Sequence, residues 1–253
     1  MKKEYDLIVS LGGNCYVAKQ LQHRGMRPFS LALDWTAMKD VEPVQKLPSL
    51  IRNRFDGFCR YENMMEYAPP DRSGKNINYM LQDRATGFLF VHHFHEPLSN
   101  REAFNSSRAI IEKRIKRLYY KVSSAKSVLF VLETYFAYDQ RLLLDIYLSL
   151  KEAFPTTEID LYAIQFNADK AQHAKLSDNV EIDAYQRRVD LCNDVYGTSY
   201  EWSFLDGIRI TGLPKPTERR SRSHIVKFKY KLWKMLGKSL YKEGAGCISL
   251  TLP

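Results

Sequence analysis

Cys15 is the residue whose type and position best suit it for covalent chemistry. It follows Gly12-Gly13-Asn14, which ends a short apolar run at residues 5–11, and the apolar residues after it have helical spacing. A thiol at such a strand-to-helix turn meets unpaired backbone N–H groups and the positive end of the helix dipole, which favour a thiolate. The turn amides and the Asn14 side chain are candidate donors to an oxyanion. The alternative is that Cys15 is a small buried residue that packs a strand against a helix.

Two glycines precede this turn. Gly12 and Gly13 allow the backbone to turn sharply and a substrate to approach it closely. The third glycine of the G-x-G-x-x-G dinucleotide pattern is missing, and the chain has no Asp-x-Asp metal motif. We therefore expect no required cofactor and no metal.

A pair of histidines supplies the candidate base. His92 and His93 end a predicted strand at 88–93, which we expect to reach the same carboxyl edge of a parallel sheet as Cys15. A cysteine and a histidine meeting there would form a nucleophile and base pair. Because side chains alternate along a strand, at most one of the two can address Cys15 directly. A polar strand end with solvated or capping imidazoles is the alternative.

The segment 8–21 resembles an uncharacterised family labelled papain-like cysteine peptidases. The resemblance lies in the turn Leu11-Gly12-Gly13-Asn14-Cys15, in Arg27 and Ser30 after the helix, in Asp34-Trp35, and in a strand that ends in histidine. The family has Phe where this chain has Leu33, a proline where it has Ala32, and an acidic or polar residue at His93.

This resemblance implies roles for the matching residues. Cys15 would be the nucleophile, with His92 as the first candidate for the base and His93 as the second. Asp34 would either orient that imidazole or hold the loop that carries Arg27. Trp35 would form an apolar wall of the site, and Arg27 and Ser30 would be substrate-binding residues.

A shorter resemblance, in Gly13-Asn14-Cys15 alone, is to capsule-polysaccharide enzymes that look like acyltransferases using coenzyme A. The chain order fits a wound acyl-transfer or hydrolase fold better than a papain-like one. We therefore predict a cysteine-nucleophile hydrolase or acyltransferase in bacterial cell-surface polysaccharide biosynthesis, with an acyl-CoA as a possible co-substrate. One alternative is a papain-like cysteine peptidase. Another is a non-catalytic glycan- or phosphate-binding module whose turn amides hold an anion.

The elements that must position these residues follow an alternating pattern. Strands are predicted at 88–93, 128–133, 159–165 and 180–185, with helices at 101–120 and 138–154. We therefore predict an α/β fold with a doubly wound, mostly parallel Rossmann-like sheet and helices on both faces. Residues 28–83 are predicted to be an irregular excursion, with short helical pieces around 44–55.

The positive charge is confined to one end of the chain. Between Pro214 and Lys242 there are ten basic residues and one acidic residue, so the net charge of +9 belongs to this segment and the remainder is balanced. We predict a domain at 1–213 and a basic tail at 214–253, with an amphipathic helix at 224–242. This helix suits an anionic membrane surface. Packing on the core is the alternative, and nucleic-acid binding is less favoured because the core is neutral.

The four cysteines lie far apart without a C-x-x-C pair, so neither a disulfide framework nor a zinc knuckle is indicated. The apolar run near the N-terminus is too short for a signal segment. We expect a cytoplasmic protein, peripheral to the inner face of the membrane, that acts on a small-molecule or glycan substrate.

Overall fold

A computed structural model describes residue 2 and residues 4–71, 77–186 and 200–211. The proposed boundary at 213 and the basic helix at 224–242 lie outside these residues, so both stay predictions. The α-helices described are α1 (Cys15–His23), α2 (Glu42–Arg52), α3 (Arg101–Ser123) and α4 (Arg141–Ala153). The strands are β1 (Glu4–Tyr5), β2 (Leu7–Ser10), β3 (Thr36–Ala37), β4 (Met64–Glu66), β5 (Tyr79–Asp83), β6 (Leu89–Phe94), β7 (Ser127–Thr134), β8 (Glu158–Gln165), β9 (Gln172–Ser177), β10 (Val180–Ala184) and β11 (Arg209–Ile210).

The main sheet has the strand order β2-β7-β8-β10-β9. Its first four strands are parallel, and β9 runs antiparallel to β10 at the edge. The central strands β7 and β8 are buried along nearly their whole length, as parallel strands covered on both faces should be. The mixed α/β class and the mostly parallel sheet are therefore confirmed, while the doubly wound Rossmann-like arrangement stays a prediction.

The histidine strand lies in a different sheet from the one we predicted. Strand β6 pairs antiparallel with β5 and β3 in a four-stranded sheet of order β3-β6-β5-β4. A turn joins β5 to β6, where the Asp83 carbonyl accepts the Gly87 N–H at 2.7 Å. The prediction that His92 ends a strand of the parallel sheet was wrong, because β6 finds its partners in the region predicted to be irregular.

One hydrophobic core joins the two sheets. Its members include Phe90 of β6, Phe130 of β7 and Leu47 of α2, all almost fully buried. Helix α2 packs against α4, and α3 packs against β6. The excursion at 28–83 is thus part of the packed fold, and it brings the second sheet to the side of the Cys15 turn.

Candidate active site around Cys15

The backbone of the Gly12-Gly13 turn is fixed from two sides. Both glycines have positive φ angles, +91° at Gly12 and +106° at Gly13. A Cβ atom added to Gly13 would lie 1.7 Å from the carbonyl oxygen of Glu133 at the end of β7. The Gly13 carbonyl oxygen accepts the N–H of Met38 at 3.1 Å, just after β3. Only glycine fits at position 13, and this close contact sets where α1 begins.

Cys15 is the first residue of α1, as the sequence predicts for a residue at the turn. The side-chain oxygen of Asn14 caps the helix by accepting the Cys15 N–H at 2.6 Å. This bond engages the Cys15 amide that we had expected to donate to an oxyanion. Asn14 therefore acts in this structure as a helix cap.

The surroundings of the Cys15 thiol act on its pKa in opposite directions. Burial raises the pKa of Cys15, and the nearby Glu133 carboxyl raises it further. The Lys19 ammonium, one helical turn along α1 and within hydrogen-bonding reach of the sulfur, lowers it. Desolvation exceeds the effect of Lys19, so the thiol is not activated by its position alone. The expectation of a depressed pKa was wrong for this reason.

Glu133 is a site residue that our sequence analysis did not single out. It is 1% exposed, and its Oε1 accepts the Tyr135 hydroxyl at 2.5 Å, while its Oε2 has no hydrogen-bond partner within the described part of the chain. The Val17 N–H of α1 also points to its carboxylate. Burial raises the pKa of Glu133 to about 8. An acidic residue that ends a continuously apolar strand was the signal that could have revealed it.

His92 is the exposed residue of β6 and lies beside Trp35. The two rings meet edge to face, with centroids 5.9 Å apart. The protein around the ring removes enough water to lower the pKa of His92, and the Lys19 charge lowers it further. Lys19 is thus a common neighbour of His92 and Cys15. The structure describes Cys15, His92 and His93, and no hydrogen bond joins Cys15 to either histidine.

His93 is buried, although its neighbour His92 on β6 is exposed. Its Nε2 lies 3.0 Å from a guanidinium nitrogen of Arg114, and its Nδ1 has no partner among the described residues. Burial lowers the pKa of His93 to about 3, and the Arg114 charge acts in the same direction. His93 is therefore neutral at physiological pH, and its nearest charged neighbour is Arg114.

Asp34 holds the loop that carries Arg27, which was one of its two predicted roles. One carboxylate oxygen accepts the Arg27 Nε–H at 2.8 Å and the Leu31 N–H at 2.7 Å. Arg27 also donates to the Ser30 hydroxyl at 2.7 Å, and its guanidinium lies over the Trp35 ring at 5.0 Å. Burial raises the pKa of Asp34 in spite of the Arg27 charge. No hydrogen bond or ion pair joins Asp34 to His92 or His93, all of which the structure describes.

The predicted site residues thus fall into two neighbouring groups. One group consists of the glycine turn, Cys15 and Lys19, and His92 lies next to it. The other group consists of Arg27, Ser30, Asp34, His93 and Arg114. Trp35 contacts both groups, through His92 and through Arg27. Fold and site together define an α/β protein with a partly exposed cysteine at its first strand-to-helix turn.

The chain belongs to the family described as "Putative papain-like cysteine peptidase (DUF1796)", whose model matches residues 6–166. The matched range includes Cys15, His92 and Glu133 and ends just after β8. This confirms the family that the Cys15 turn indicates, while the resemblance to capsule-polysaccharide enzymes stays a prediction. No curated protein and no solved structure matches the chain. Within the residues that the structure describes, no helix has the length and apolar character needed to cross a membrane.

Proposed function

We propose that the protein is a cysteine-dependent acyl-transfer enzyme, a hydrolase or an acyltransferase, in which Cys15 is the nucleophile. The position of Lys19, one helical turn from Cys15 on α1 and lowering the pKa of the thiol, is the observation that carries this proposal. A cation beside a partly exposed thiol stabilises the thiolate as it forms, which a purely structural cysteine does not need. Membership in a family described as cysteine peptidases supports the same chemistry.

His92 is the proposed base. Its lowered pKa keeps the imidazole neutral at pH 7, the state that can accept a proton. His92 takes the proton from Cys15, and the sulfur forms a bond to the acyl carbon of the substrate. The leaving group then departs with a proton from His92, which leaves a thioester on Cys15. Water or a hydroxyl of an acceptor attacks this thioester, releases the product and restores the thiol.

Stabilisation of the oxyanion falls mainly to Lys19 in this scheme. The N–H groups of Cys15 and Val17, in the first turn of α1, already bond to Asn14 and Glu133. The Lys19 ammonium lowers the pKa of the Cys15 thiol and can face the developing oxyanion. The acceptor decides the reaction class: water makes the protein a hydrolase or peptidase, and a sugar hydroxyl makes it an acyltransferase.

The setting that we propose is cell-surface polysaccharide assembly at the inner face of the membrane. It is supported by the resemblance in Gly13-Asn14-Cys15 and by the basic segment at 224–242. An acyl-CoA is the proposed acyl donor. A papain-like peptidase remains the second candidate because the family description names that activity.

Mass spectrometry of the intact protein tests the proposal. Wild-type protein incubated with short-chain acyl-CoA or with peptide esters should gain one acyl group on Cys15, and hydroxylamine should remove it. Cys15→Ala should gain none, while Cys59→Ala serves as the matched control because Cys59 is a fully buried free thiol. Turnover that persists in Cys15→Ala would refute the assignment of the nucleophile. The donor class that acylates Cys15 separates transferase from peptidase.

A further inference from the structure

Three guanidinium groups gather beside the Cys15 site, and we call Arg27, Arg114 and Arg117 the arginine cluster. Arg27 and Arg117 both bind Ser30: Arg27 donates to its hydroxyl at 2.7 Å, and Arg117 donates to its carbonyl oxygen at 2.9 Å. Arg114 is three residues before Arg117 on α3, which places both on the same side of the helix. The charges of Arg27 and Arg117 both act on Arg114.

The cluster has more positive charge than its surroundings offset. Among the described residues Asp34 is its one carboxylate partner, and the salt bridge of Asp34 is made with Arg27. Among the described residues, neither Arg114 nor Arg117 forms a salt bridge with an acidic side chain. His93, the neighbour of Arg114, is neutral and adds no negative charge. Within the part of the chain that the structure describes, three guanidiniums and one carboxylate leave an excess of two positive charges.

The excess positive charge destabilises the ionised guanidinium of Arg114. The side chain of Arg114 is partly buried, and burial lowers its pKa, with Arg27 and Arg117 adding like-charge repulsion. A guanidinium has five N–H donors, yet Arg114 and Arg117 each make one hydrogen bond to the described protein. Donors and charge that the protein does not use are the features of a site that binds an anion.

The balance of charge identifies the class of anion. A phosphate monoester has about two negative charges at neutral pH, which equals the excess on the cluster. A single carboxylate would offset half of it. Guanidinium groups also match the geometry of phosphate oxygens through paired N–H donors. We propose that the arginine cluster is a phosphate-binding site.

A series of contacts connects this site to the proposed nucleophile. The Arg27 guanidinium lies over Trp35, Trp35 meets His92 edge to face, and Lys19 acts on both His92 and Cys15. We therefore assign the bound phosphate to the substrate of Cys15, a step that rests on the proposed function. Phosphate binding itself rests on the cluster alone.

Titration with inorganic phosphate, followed by the arginine Nε resonances in NMR spectra, tests the binding site. We expect phosphate to bind wild-type protein at least tenfold more tightly than acetate does. Arg117→Gln should weaken phosphate binding about tenfold, because it removes a charge-assisted contact. Arg117 is exposed, so this variant should fold normally. Arg108→Gln is the matched control, since Arg108 is on the same helix and pairs with Glu112; its affinity should change less than twofold.

The proposed phosphate site would be refuted if phosphate bound wild-type protein and Arg117→Gln equally tightly. It would also be refuted if wild-type protein bound acetate more tightly than phosphate. A second measurement tests the assignment to the substrate. Arg117→Gln should hydrolyse an acyl-CoA with a KM about tenfold higher than that of wild type. The thioester of the same acyl group with N-acetylcysteamine has no phosphate, so its kcat/KM should be the same in both proteins. An equal effect on both thioesters would overturn the assignment. If Cys15→Ala hydrolyses both as fast as wild type, the proposed function fails, and the phosphate titration still decides the site.

Discussion

Replacing Glu133 by glutamine should change the pH dependence of stability in a predictable direction. The carboxyl has a pKa of about 8 in the fold, against an ordinary value of 4.5. Between these values the unfolded chain releases the proton and the folded chain keeps it, so stability falls as pH rises. The penalty is absent well below pH 4.5 and is complete above pH 8, where it reaches about 5 kcal/mol. Glutamine keeps the shape of the side chain and removes the penalty.

Urea denaturation of both proteins across pH measures this effect. The free energy of unfolding of Glu133→Gln, relative to wild type, should grow by about 4 kcal/mol between pH 5 and pH 9. The difference between the two proteins removes the contribution of other titrating groups. Glu96→Gln is the control, because Glu96 is exposed and its replacement should change stability by less than about 0.5 kcal/mol at each pH. A difference between Glu133→Gln and wild type that stays constant with pH would refute the reasoning.

Three further substitutions test the structure. Lys19→Met should raise the pKa of Cys15 and slow its alkylation by iodoacetamide at pH 8 about tenfold, measured by mass spectrometry. Gly13→Ala should lower the free energy of unfolding by roughly 3 kcal/mol or more, because its Cβ would meet a backbone oxygen; Gly207→Ala, with open space around it, should cost less than about 1 kcal/mol. Asp34→Ala should cost about 3 kcal/mol in urea denaturation, because it leaves Arg27 without its buried partner.

The sequence predicted the main sheet well because its signals there are local. Strand β7 is continuously apolar and α3 has long helical periodicity, so their predicted and observed bounds differ by a few residues at most. The second sheet was harder to predict. Its strands β3 and β4 have two and three residues, and pairing between β5 and β6 depends on contacts that an apolar run does not encode. The edge strand β9 was also missed, because its six residues are mostly polar and none is buried.

At the candidate site the sequence predicted positions better than roles. Cys15 lies at the start of a helix as expected, and Asp34 has one of its two expected roles. The ionisation of Cys15 was predicted with the wrong sign, because the helix start is visible in the sequence and burial is not. Glu133 and Lys19 were not singled out. Glu133 comes near the thiol because β2 pairs with β7, and Lys19 because it lies one turn along α1.

The charges around Cys15 restrict when its thiolate can form. Glu133 raises the pKa of Cys15, so ionisation of both groups together is disfavoured. Below pH 8 the buried carboxyl keeps its proton, and Lys19 is then the charged group beside the sulfur. A thiolate formed under these conditions has a cationic partner and no anionic neighbour. Above pH 8 the ionised carboxylate opposes the thiolate, so rising pH removes the thiol proton less readily than at an isolated cysteine. In the proposed mechanism, these charges favour formation of the Cys15 thiolate near neutral pH, when His92 takes the proton.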